Sequence, residues 1–123
     1  MAMEKHLRGL DVAMVELSYR YDELYWAGTD GNWEYAGYQA GKMRLALDNA
    51  LERRPKRQAS TAEIFFPALE RVESAIAARD RKKFPAAFEA MTASCNACHA
   101  AEGVPTFRVA PPDDRTSSTT RRP

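Results

Sequence analysis

Apolar residues return along the first part of the chain in alternating steps of four and three: Met3, Leu7, Leu10, Met14, Leu17, Tyr21 and Leu24. That spacing lines one face of a helix at the period of a bundle seam. The stripe stops at AGTDGNW, where Gly28, Asp30, Gly31 and Asn32 predict a turn and Asn32 a cap for the next helix. Ala36, Ala40, Met43, Leu47 and Ala50 repeat the spacing and predict a second helix over 33–53, which RRPKRQAS breaks. Ser60 and Glu63 have the spacing of a capping box, and Phe65, Leu69, Val72 and Ile76 give a third stripe. Pro67 inside it predicts a kink or a later start. Beyond Asp80 and its basic run, Phe84, Phe88, Met91, Cys95 and Cys98 form a fourth seam, whose first turn tolerates Pro85 and which Gly103 and Pro105 end.

Helices of roughly 20 residues are ~30 Å long, and short turns make neighbours antiparallel. The expected fold is therefore all-α, an up-down-up-down four-helix bundle over residues 1–110. From Pro111 onward the chain has no apolar residue except proline, which predicts a disordered tail over 111–123.

With 123 residues there is material for one core and not for two. The formal charge of +1 argues against a nucleic-acid partner. No apolar run approaches the ~20 residues that span a bilayer, so no membrane span is expected. The start, MAMEKHLRG, has no apolar signal core, which fits either a cytoplasmic chain or a trimmed, mature one.

The candidate chemistry lies in ASCNACHAAEG, residues 93–103, which holds the chain's two cysteines and one of its two histidines. A thioredoxin-type pair needs a strand beside its helix, and no strand is predicted. A closed zinc site needs four ligands, more than Cys95, Cys98 and a histidine supply. Covalent haem attachment needs two thiols projecting from one helical turn toward two vinyl groups, then a histidine whose imidazole reaches the iron. Cys95, Cys98 and His99 have that order and spacing.

A short helical chain with CNACH near its C-terminal end resembles the four-helix-bundle c-type cytochromes, of which cytochrome c-prime is a branch. AGTDGNW together with CNACHAAEGVPTF is also similar to a set of small bacterial haem proteins. The resemblance implies one covalent haem c per chain, held by Cys95, Cys98 and His99, and a periplasmic protein whose export signal has been removed. It implies a soluble single-electron carrier with redox partner proteins, and it leaves a homodimer through helix one open. The chain departs from the c-prime pattern in its shortness and in Ser94 and Ala100 beside the motif, where a basic residue is common.

The sixth iron position decides between electron transfer and binding of a small gas such as nitric oxide or carbon monoxide. Met14 is the candidate sulfur ligand, with Met3 and His6 nearer the start and Leu7 and Leu10 as non-ligating neighbours. If the ends of helices one and four are level, Met14 stands above His99. Ala36, Gly37, Ala40 and Gly41 on helix two, with Ala86, Ala87, Ala90 and Ala93 on helix four, are expected either to make room for the ring or to let helices approach. Arg53, Arg54, Lys56 and Arg57 are expected at the haem end, near propionates or an acidic partner; Arg79, Arg81, Lys82 and Lys83 fall at the other end. The tyrosines and tryptophans from Tyr19 to Tyr38 are expected as packing around the first turn. No distal acid-base pair is legible, so an enzyme is not expected.

Overall fold

Three of the helices end at one residue in the left-handed region. The first, α1 (Ala2–Asp30), runs past the last residue of its stripe and stops at Gly31, whose φ is 75°. The Gly31 amide then donates to the Gly28 carbonyl at 3.2 Å and the Asn32 amide to the Ala27 carbonyl at 2.8 Å, the paired closure of a Schellman turn. Asn32 opens α2 (Trp33–Arg53), its carbonyl accepting from the Ala36 amide at 2.9 Å. The structure, a computed structural model, describes residues 2–53 and 61–115, backbone only at 2–11 and 62. Ser60 and the basic residues Arg54, Lys56 and Arg57 lie outside the described residues.

At Thr61–Phe65 the chain forms a π-helical turn, and α3 (Phe66–Ala77) starts behind it with Pro67 in its first turn. This is the later start that Pro67 predicts: proline has no amide to give and crowds the carbonyl four residues back, so the regular helix begins where that carbonyl is not needed. Arg79 closes α3 at φ 53°, again with paired bonds, Arg79 to Ile76 and Asp80 to Ala75. Asp80 Oδ1 then accepts the Lys82 and Lys83 amides at 2.9 Å each, satisfying donors at the start of α4 (Lys83–Ala101). Gly103, at φ 79°, ends α4 with bonds from Gly103 to Ala100 and from Val104 to His99.

Four α-helices and no strand are found among the described residues. Contacts join α1 to α2, α2 to α3, α3 to α4 and α4 back to α1, so the helices close a ring with up-down-up-down direction. Leu24, Ala36, Met43, Leu69, Val72 and Met91 are each 1% exposed or less and fill its centre. Arg44 and Glu73 pair at 2.6 Å between α2 and α3.

The register of α1 against α4 is fixed by Gly28. A Cβ there would stand 2.0 Å from the Phe84 ring, so this crossing exists only because the side chain is absent. Tyr25 follows against Phe88 at 5.3 Å between centroids, then Tyr21, whose hydroxyl lies 2.7 Å from Thr92 Oγ1. The numbers of these facing residues add to 112 or 113. Continued down the seam, the same register sets Leu17 level with Cys95 and Met14 level with Cys98 and His99. The ends of α1 and α4 are therefore not level: residues 2–10 of α1 run past the end of α4.

Candidate functional site

The lower half of α4 carries the site. Phe84, Ala87, Phe88, Met91 and Ser94 are its buried face, and Cys95 and Cys98 continue that face toward the helix end. Both thiols are half-buried, packed beside the core with Met14, Leu17 and Val109. An unbroken helix separates them by three residues, so both sulfurs leave the same side within one turn. Burial pushes the Cys95 thiol up to about 12, with Cys98 as a second cause in the same direction. Burial also raises Cys98. These are neutral thiols at physiological pH, the opposite of the lowered values that redox thiolates need. Among the described residues no group of three or more histidine, cysteine or carboxylate side chains is placed to hold a metal ion. The raised thiols weigh against a dithiol exchanger.

His99 follows on the next step of the helix and turns toward the chain that returns from Gly103. Its Nδ1 hydrogen-bonds the carbonyl oxygen of Phe107, and the Phe107 ring stands edge-on to the imidazole at 6.4 Å. A carbonyl only accepts, so Nδ1 is the donor, and in the neutral ring Nε2 then keeps the lone pair. That is how a metal-bound histidine is ordinarily held. The returning chain is fixed further up by Asn96: its Nδ2 donates to the Val109 carbonyl at 3.0 Å, and the Val109 amide donates to Asn96 Oδ1 at 2.7 Å. Of the tail expected from Pro111, residues 111–115 are described. Arg115 reaches Asp30 at 2.6 Å and lies over the Trp26 ring at 4.3 Å. Residues 116–123 are outside the described residues.

No protein-family model, curated protein or solved structure matches this chain. Its chemistry has to follow from these residues themselves.

The expected residues do not all gather here. Cys95, Cys98 and His99 share the last turns of α4, and the register brings Met14 to their level; the side chains of Met3, His6, Leu7 and Leu10 lie outside the described residues. The small residues of α2 are elsewhere. Ala36 and Ala40 are buried toward the opposite end, and nothing lies within 4 Å of a Cβ on Gly41. On α4, Ala87 is buried while Ala86 and Ala93 are exposed, so these residues form no single cleft. Arg53, at the end of α2, is exposed, and Arg81 is tied to the Thr29 carbonyl at the far end.

The aromatic residues divide in two. Trp33, Phe84, Phe88 and Tyr21 form a packed column whose successive centroids are 5.9, 5.7 and 4.8 Å apart. Burial lifts the Tyr21 hydroxyl to about 12, against the opposing bond to Thr92. Tyr19 and Tyr38 are exposed on α1 and α2, with the Arg20 guanidinium 5.3 and 5.9 Å from their centroids. Sequence reasoning missed Asn96, the Phe107 carbonyl and the buried Glu23, which accepts from the Tyr35 hydroxyl at 2.6 Å. The backbone partner of a histidine has no sequence signal, since any residue type offers a carbonyl.

Proposed function

We propose that this protein is a mono-haem c-type cytochrome that carries single electrons. The observation that supports it best is the state of His99. It directly follows two thiols one helical turn apart, its Nδ1 is committed to the Phe107 carbonyl, and its Nε2 is left as the only ring donor for iron. A porphyrin brings four nitrogens of its own, so the lack of further protein ligands around the pair does not count against it. The donor set fits: Cys95 and Cys98 would hold the haem through thioether bonds and His99 would bind its iron. Bound there, haem supplies a one-electron couple between ferric and ferrous iron.

The chain's own contribution is burial, orientation and the choice of axial groups. Met91, Leu17 and Val109 offer an apolar surround that keeps water from the thiol side, and the Phe107 carbonyl strengthens the imidazole as a donor by polarising its N–H. Met14, level with Cys98 and His99, would be the second protein ligand to the iron, through its sulfur. A second reading, a five-coordinate haem that takes up nitric oxide or carbon monoxide, draws on Leu17, which sits level with Cys95 one turn away and cannot ligate. Protein partners that accept or deliver the electron, and a periplasmic location, belong to the same proposal.

Optical spectra separate the two readings. A sulfur-to-iron charge-transfer band in the ferric protein that disappears in Met14→Ala supports the carrier. A high-spin spectrum unchanged by that substitution and shifted by carbon monoxide supports the gas binder.

A further inference from the structure

The loop that accepts the His99 proton is held at both of its ends, and one of the two clamps comes from within the CNACH motif. At its start, the Gly103 turn ties Val104 to the His99 carbonyl at 2.8 Å. At its far end, the Asn96 amide grips the Val109 peptide through both its N–H and its C=O. Between them lie Pro105, Thr106, Phe107 and Arg108. Phe107 has an exposed side chain, and its backbone makes one turn bond to the Val104 carbonyl at 3.0 Å. Two anchors a few residues apart leave a short segment little freedom, and its carbonyls take the directions the anchors impose.

We infer that Asn96 is a positioning residue for His99. Its side-chain amide bonds the Val109 peptide rather than the imidazole, and it acts by holding Val109, which sets the Phe107 carbonyl over His99 Nδ1. An amide side chain suits the task because it offers a donor and an acceptor side by side, the match of a peptide's own pair. Without this clasp, Val109 keeps only its apolar contact with the core, and the Phe107 carbonyl is free to turn to water. His99 would then lose the bond that fixes its tautomer and ring plane. The importance of that plane for iron rests on the function proposed above, whereas the mechanical link exists with or without haem.

The test uses both forms of the full chain. In the haem-free protein with reduced thiols, ring ¹⁵N chemical shifts at mildly alkaline pH report which His99 nitrogen carries the proton. The wild type should show a protonated Nδ1. Asn96→Ala should move His99 toward the Nε2-protonated form and remove the slow exchange of the Val109 amide. Asn96→Asp, which keeps the acceptor and loses the donor, should fall between. Phe107→Ala keeps the carbonyl and should leave the tautomer unchanged. In the haem-loaded protein, Asn96→Ala should raise the reduction potential, because a less polarised imidazole stabilises ferric iron less.

A folded Asn96→Ala protein with the wild-type tautomer and a protected Val109 amide would overturn the inference. Should Asn96→Ala not fold, a wild-type tautomer and a wild-type Val109 exchange rate in Asn96→Asp would do the same. Failure to attach haem would sink the proposed function instead, and the haem-free measurements would still decide the role of Asn96.

Discussion

Adding one methyl group at Gly28 should disturb the molecule from the first turn down to the thiols. An ideal Cβ at that position comes within 2.0, 2.1 and 2.5 Å of three Phe84 ring atoms, where ordinary contact begins near 3.4 Å. The ring cannot simply retreat. Phe84 is 2% exposed, with Trp33 5.9 Å and Phe88 5.7 Å away between centroids. Relief of more than 1 Å must therefore come from sliding or separating α1 and α4. Overpacking of a filled core costs about 1–3 kcal/mol, and the depth of this overlap puts Gly28→Ala in the upper half of that range. A loss of about 2 kcal/mol corresponds to roughly 8 °C in the midpoint of thermal unfolding for a chain of this size. Circular dichroism against temperature or urea measures it. Shortening the ring should give much of the loss back, so Phe84→Leu, itself destabilising, should cost far less in the Gly28→Ala background, with a coupling of about 1 kcal/mol or more. If Gly28→Ala is as stable as the wild type, α1 and α4 do not cross here. The register that sets Met14 level with His99 would fall with it.

Three further outcomes follow from particular contacts. Arg79 is the one non-glycine at positive φ among the described residues, so Arg79→Gly should raise stability by up to about 1 kcal/mol in urea unfolding, while Arg79→Val should lower it. In the haem-free protein the Cys95 thiol titrates at about 12 rather than its ordinary 9.0. Between those values the folded chain keeps a proton that the unfolded chain has released, so this contribution to stability is complete below about pH 9 and is lost as pH rises toward 12. Urea midpoints at about pH 8 and about pH 11 should fall further apart in the wild type than in Cys95→Ala, and alkylation of native Cys95 at about pH 8 should be at least ten times slower than in the denatured chain. Arg115→Ala removes the cation from the Trp26 face and the pair with Asp30; Trp26 fluorescence should change, with a stability loss of no more than about 1 kcal/mol.

The fold was legible because its helices are amphipathic in a regular way. The stripe from Tyr21 to Leu24, the Met43 and Leu47 pair, Leu69 with Val72, and Phe88 with Met91 all face the common core. Boundaries were harder where one residue served two purposes. Gly28 reads as turn chemistry, yet it is a helical residue whose missing side chain admits Phe84, and so α1 extends to Asp30. Pro67 told of a late start but not of the π-helical turn before it. The relative heights of α1 and α4 depend on that single crossing, which periodicity cannot express, so level helix ends put Met14 above His99. At the candidate site, cysteine and histidine types advertise their chemistry through spacing. The groups that hold them do not: Asn96 offers only a common amide, and Phe107 contributes an atom that every residue possesses.

Attachment of haem to α4 is tested most directly on the full chain produced behind an export leader in a host that matures c-type cytochromes. After acid-acetone extraction, the intact mass should exceed that of the polypeptide by one haem, and the increment should be lost when Cys95 and Cys98 are both changed to serine. A colourless protein from that host, with the bare polypeptide mass and two titratable thiols, would contradict the account.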